Sequence, residues 1–186
     1  VCIDYGLDYW VYSAVTFDAS DETRRAAFLE TEAALYADTP RITHVFVPGG
    51  DPGDNHPSLL FPLMAEMAER LQIHHPDARI WVSMQNFEID EVNYVFDYLN
   101  THELPWLGGL VDGPGSPYLP DTRKRLPGKY RFRDYPGITH SCRAQYPVAW
   151  WDHALARTLG REGPNPQPLY YALIHNWSAP WTDGFI

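Results

Sequence analysis

The chain predicts an α/β fold, a parallel sheet whose strands alternate with helices. Three observations carry this. Apolar runs of strand type stop abruptly in polar loops, at Val47 to Asp51, Met84 to Glu88, Val111 to Gly113 and Ile174 to Trp177. Between them the apolar residues recur at helical spacing. The connections are long enough for crossover helices, as parallel strands require. In such folds the carboxyl ends of the strands share one face, and binding sites form there.

Tyr9 to Phe17 is rich in aromatic and β-branched residues and reads as the first strand. Asp18 to Glu22 opens a helix with Ser20 or Asp18 as cap, continued by Ala26, Ala27, Leu29, Ala33, Ala34 and Tyr36. Thr43 to Val47 is the second strand. Pro57 begins a helix with Leu60, Leu63, Met64, Met67 and Leu71 at helical spacing, the methionines filling core and Asp54 capping. Arg79 to Met84 is the third strand, and Asp90 to Asn100 a helix with Val92, Val95, Phe96 and Leu99 on one side. Leu107 to Val111 is the fourth strand. The Pro/Gly-rich stretch from Gly113 to Gly128 reads as a long loop. Lys129 to Phe132 is a fifth strand, Trp150 to Leu159 a helix, and Pro168 to Ile174 a sixth strand.

A closed (β/α)8 barrel needs about 250 residues, and this chain has 186. It is therefore read as a single domain, 1–186, forming a partial TIM barrel. The rival is a complete open doubly wound sheet, against which stands the lack of a Gly-rich phosphate loop. The chain starts at Val1 and stops at Phe185-Ile186 after a turn, so part of a longer chain is expected to be missing.

A net charge of -10 argues against a nucleic-acid partner, whose phosphates it would repel. The basic run Arg123-Lys124-Arg125 reads as a solvated loop. No apolar stretch approaches the ~20 residues of a membrane span, so no membrane partner is expected. Cys2 and Cys142 read as free buried thiols. Aromatics make up 15% of the chain, a surplus that packs a core or stacks on a ligand such as a sugar.

The candidate site residues follow the strand ends. Asp51 comes directly after Gly49 and Gly50, which bring backbone close to a ligand; its carboxylate orients a reacting group, acts as general base, or caps the next helix. Asp112 precedes Gly113 at another strand end and is either catalytic or a turn residue. Glu88 and Asp183 are further strand-end carboxyls for such a site, and Glu88 alternatively suits the first turn of the helix after it. Arg131 and Arg133 alternate on one strand face, to bind a sugar carboxylate or to pair with surface acids. Asp134 and His140 form a possible acid-base or orienting pair. His175 and Asn176 offer directional hydrogen bonds, and Trp177 and Trp181 offer flat faces to sugar C–H groups or pack under a loop.

The stretch from Val45 to Asp51 resembles the strand-end motif of family 20 glycoside hydrolases, the β-N-acetylhexosaminidases: a hydrophobic strand, two glycines, then Asp-Glu. Gly49, Gly50 and Asp51 match. In that family the Asp orients the substrate acetamido group and the Glu is the general acid. The Glu position here is Pro52, which cannot donate a proton. Family 84 hexosaminidases and α-glucuronidases share the layout. The resemblance implies hydrolysis of a glycosidic bond in an oligosaccharide or polysaccharide, without cofactor. Two carboxyls are needed, Asp51 with Asp112 or Asp134. The alternatives are a non-catalytic carbohydrate-binding barrel and a metal-dependent hydrolase using Asp51, His56 and Asp134. No H-E-x-x-H or Cys/His ligand framework appears, so no metal is expected.

Overall fold

The computed structural model describes residues 2–135 and 168–186. Five strands form one parallel sheet in sequence order: β1 (Trp10–Tyr12), β2 (His44–Val47), β3 (Arg79–Ser83), β4 (Leu107–Asp112) and β5 (Arg131–Asp134). Between them run α1 (Glu22–Asp38), α2 (Pro57–His74), α3 (Ile89–Thr101) and α4 (Leu119–Arg125), and α5 (Pro168–Ser178) follows β5. The α/β fold expected from the alternation is present. The carboxyl ends of β1 to β4 each feed the helix that follows, so the polar loops gather along one rim.

Period-two burial gives the sheet two different faces. Val45, Val47, Ile80, Val82, Leu110 and Phe132 share the main core with helical Leu29, Leu60, Met64, Val95 and Leu99. The opposite face holds a smaller cluster of Phe46, Trp81 and Val111, with Trp10, Tyr135 and Ile186 against it. Four strand spacings would separate β1 from β5 by roughly 19 Å in a flat sheet, and strand side chains stand nearly perpendicular to it. Yet the Arg133 guanidinium on β5 lies 5.0 Å from the Trp10 ring on β1 and 5.1 Å from the Trp81 ring on β3. The Phe46 and Tyr135 rings are 5.9 Å apart. The sheet is therefore curved, concave on this second face.

Trp81 is 1% exposed, and a bulge makes room for it. The pairing of β3 with β4 shifts between Ile80 and Trp81, leaving Gly108 as the extra residue. A Cβ on Gly108 would overlap the indole Nε1. Deeper on this face, Asp8 sits 3.7 Å from both Arg133 and His44. Burial pushes the His44 pKa down to about 4; Asp8 pulls it up, and Arg133, Arg131 and Arg79 push it down. His44 is thus neutral at pH 7, and the ion pair of Asp8 is with Arg133.

Several local expectations are corrected. Residues 168–174 are not a strand: they belong to α5, which carries His175, Asn176 and Trp177 on a helix. The sixth sheet position is taken instead by the last residues. Asp183 N donates to Phe132 O at 2.7 Å, Asp134 N to Gly184 O at 2.9 Å, and Ile186 N to Asp134 O at 3.0 Å, with a parallel bridge from Asp134 to Phe185. The stretch 113–128 is not one loop, because α4 lies within it. Its last turn carries Arg123, Lys124 and Arg125, which complement the helix dipole. The α1 cap is Asp21, which accepts from Thr23 N and Arg24 N, while Asp18 is engaged with Ser20. The α2 cap is His56, which accepts from Ser58 N, rather than Asp54. β1 stops at Tyr12, well short of Phe17. Cys2 is free and half-buried. The helix expected over Trp150 to Leu159, and Cys142, lie outside the described residues.

Two outcomes follow from this packing. Gly108→Ala forces Trp81 to move and should cost about 1–3 kcal/mol in denaturant unfolding, with Trp81→Phe in the same chain recovering part of it. For His44, the unfolded ring takes a proton below its ordinary value near 6.5 that the folded ring refuses until about pH 4. Stability therefore falls as pH drops through that window. His44→Phe should flatten the melting temperature between pH 6.5 and 4 relative to the parent; parallel curves would refute the assignment.

Candidate functional site

The rim is built by loops that lock onto one another. Gly49 has φ +77°, and a Cβ there would overlap the Ser83 carbonyl, so the β2 loop lies directly on the end of β3. Gly50 N donates to Gln85 O at 2.9 Å. Gln85 is itself 7% exposed, and its Oε1 accepts from the Ser83 hydroxyl. Asn55 joins the β2 loop to the β1 loop: its Oδ1 accepts from Ala19 N at 2.7 Å and its Nδ2 donates to Phe17 O at 2.8 Å. At the start of α3, Glu88 N donates to Glu91 Oε2, so Glu88 is a helix-start residue.

The structure brings three of the candidate residues together. Asp112 and Asp134 are register partners at the ends of β4 and β5. They are 1% and 2% exposed. Their strand parity matches Leu110 and Phe132, so both belong to the helix-facing side. They line a cavity of about 370 Å³ with Ser116, Tyr118, Ile174 and Trp177. The Tyr118 and Trp177 rings lie 6.3 Å apart and form an aromatic wall. The Ser116 Oγ is buried and has no hydrogen-bond partner among the described residues.

The remaining candidates lie elsewhere. Asp51 is exposed and its charge acts on Tyr12, on the concave side of the sheet. Gly50 serves the loop packing. Arg133 is committed to Trp10, Trp81 and Asp8, and Arg131 is exposed at the start of β5. His175 is exposed with its ring 5.9 Å from Phe185, and Asn176 is exposed beside it on α5. Trp181 packs against the main core. Asp183 Oδ2 accepts from Phe132 N and lies 3.6 Å from Arg123. His140 lies outside the described residues.

Sequence reasoning passed over two residues at this rim. Tyr12 and Tyr135 flank Phe46, at ring distances of 5.8 and 5.9 Å. Burial raises the pKa of both phenols; Asp51 adds to the effect on Tyr12, and Tyr12 adds to that on Tyr135. The signal was present, since each is an aromatic at the last residue of a strand or just beyond it. The Tyr135 N–H also donates to Asp112 O at 3.1 Å, so the concave group adjoins the carboxyl pair through backbone.

Among the described residues no three His, Cys, Asp or Glu side chains gather as a metal site. His56 Nδ1 is used at the α2 cap and its ring packs on Tyr94. No helix of the described residues is long and apolar enough to cross a membrane. Compared with known proteins, the chain matches no family model, no curated protein and no solved structure.

Proposed function

We propose that the protein hydrolyses a glycosidic bond in an oligosaccharide or polysaccharide, on a sheet that is part of a (β/α)8 barrel wall. The observation that carries this is the Asp112–Asp134 pair, buried side by side at the ends of β4 and β5 on one cavity with Tyr118 and Trp177. Neighbouring strands are spaced about 4.8 Å apart, close to the ~5–5.5 Å between carboxyls in retaining glycosidases. One carboxyl gives its proton to the leaving oxygen as that C–O bond breaks, while the ionised neighbour bonds to the anomeric carbon; water then displaces this carboxylate, giving its proton to the first group. Pro52 supplies no acid at the position where the hexosaminidase motif has its Glu, and the adjacent-strand pair removes the need for one there. The indole and phenol faces of Trp177 and Tyr118 suit the C–H face of a sugar ring.

The test is a panel of aryl glycosides and oligosaccharides assayed with the parent, Asp112→Asn and Asp134→Asn. Each variant should lose on the order of 10²–10⁴ in kcat while retaining sugar binding and a cooperative melt. Trp177→Ala should weaken binding by about 1 kcal/mol. Sugar binding without turnover in the parent would overturn the hydrolase reading in favour of a carbohydrate-binding barrel. Turnover abolished by chelator would move it to metal-assisted hydrolysis.

A further inference from the structure

The Asp112–Asp134 cavity holds one polar atom that the hydrolytic step leaves unused. Ser116 lines it together with both carboxyls. Its Oγ is buried and has no hydrogen-bond partner among the described residues. A hydroxyl in that state has lost its water and gained no bond in return, which costs stability and is rare in folded proteins. Ser13 and Thr122 also carry buried hydroxyls without a partner among the described residues, but neither lines this cavity.

Local structure fixes the serine in place and gives its hydroxyl no other task. Gly113-Pro114-Gly115-Ser116 is a tight turn. Ser116 N donates to Gly113 O at 3.1 Å, Pro114 presets the second position, and Gly115 supplies φ +74° at the third. The turn is seated on the β3 loop, because a Cβ on Gly113 would overlap the Gln85 side chain. A serine near a helix start commonly caps it. Here α4 has Tyr118 as its N-cap and no side-chain cap bond, so the Ser116 hydroxyl does not serve the helix.

We propose that Ser116 Oγ is the hydrogen-bond partner of one ring hydroxyl of the sugar held between Asp112 and Asp134, and so selects which sugar the site accepts. A serine hydroxyl both donates and accepts, as a sugar hydroxyl does. The carboxyls address the anomeric carbon, and Tyr118 and Trp177 take a ring face. Stacking tolerates many hydroxyl patterns, whereas a buried polar partner rejects the sugar that lacks the matching group. This rests on the carbohydrate reading of the site and adds its selectivity residue: the substrate carries a free hydroxyl at the position that Ser116 reaches.

The experiment is calorimetric titration of the 186-residue chain with the methyl α- and β-glycosides of glucose, galactose, mannose and xylose, then with the monodeoxy analogues of the tightest binder. One deoxy analogue should bind the parent about tenfold more weakly than the intact sugar. Ser116→Ala should weaken the intact sugar by a similar factor and shrink that analogue's penalty to within about twofold. Thr122→Val, which removes an unpartnered hydroxyl away from the cavity, should leave the penalty whole. Without sugar, Ser116→Ala should melt at or above the parent temperature, because the lost hydroxyl has no protein partner. A fall of more than about 3 °C would reveal a structural bond and overturn the assignment. Deoxy penalties that are absent from the parent, or unchanged in Ser116→Ala, would overturn it too. Turnover is read separately on aryl glycosides. Cleavage without hydroxyl selectivity removes the role of Ser116 alone, and selectivity without cleavage removes the hydrolase reading alone. No sugar binding at all would sink both.

Discussion

The Arg133 guanidinium, stacked over Trp10 and Trp81, ties the fifth strand to the first and third. Everything else on the concave face depends on that contact. A half-buried cation is costly unless a counter-charge and polarisable neighbours replace the water it loses. Asp8 supplies the charge and two indoles supply the faces. A protonated His44 would add a positive charge near Arg133, Arg131 and Arg79, and burial keeps it neutral instead. The Gly108 bulge serves the same end, because without it the Trp81 indole has no space.

Curvature has a functional consequence. The carboxyl ends of all five strands lie on one rim, and curling the sheet brings residues from distant strands into reach there. Tyr135 from beyond β5 meets Phe46 of β2. The rim then offers two surfaces of different character. The helix-facing side holds the paired carboxyls, with their aromatic wall. The concave side holds the Tyr12, Phe46 and Tyr135 rings in edge contact. In the proposed function, chemistry and sugar stacking both belong to the first surface.

Much of the fold was legible in the sequence, because β2, β3 and β4 are buried strands with polar punctuation and α2 and α3 have regular apolar spacing. The failures have physical causes. Residues 168–174 are a short apolar run, and such a run fits a buried helix as well as a buried strand; tertiary context chose helix. The segment that does occupy the sixth position, around Asp183 to Ile186, is too short to show a period. α4 was hidden by flanking Pro and Gly, although Pro120 in its first turn and three basic residues in its last are helix signals. For the site, sequence placed Asp112 and Asp134 at strand ends but paired each with Asp51. Register between strands decides that question, and register is set by packing across the sheet rather than by local pattern. The role of Arg133 was out of reach for the same reason, since its partners Asp8 and Trp10 come from the opposite end of the sheet.

The central claim, that the sheet is curled by a contact between its outermost strands, is tested most directly by a double-mutant cycle. Trp10→Leu and Arg133→Met would be made singly and together, and unfolding free energies measured in urea. The account predicts a coupling of about 0.5–2 kcal/mol between the two positions, which a flat sheet has no means to produce. Additive losses, with coupling near zero, would contradict it.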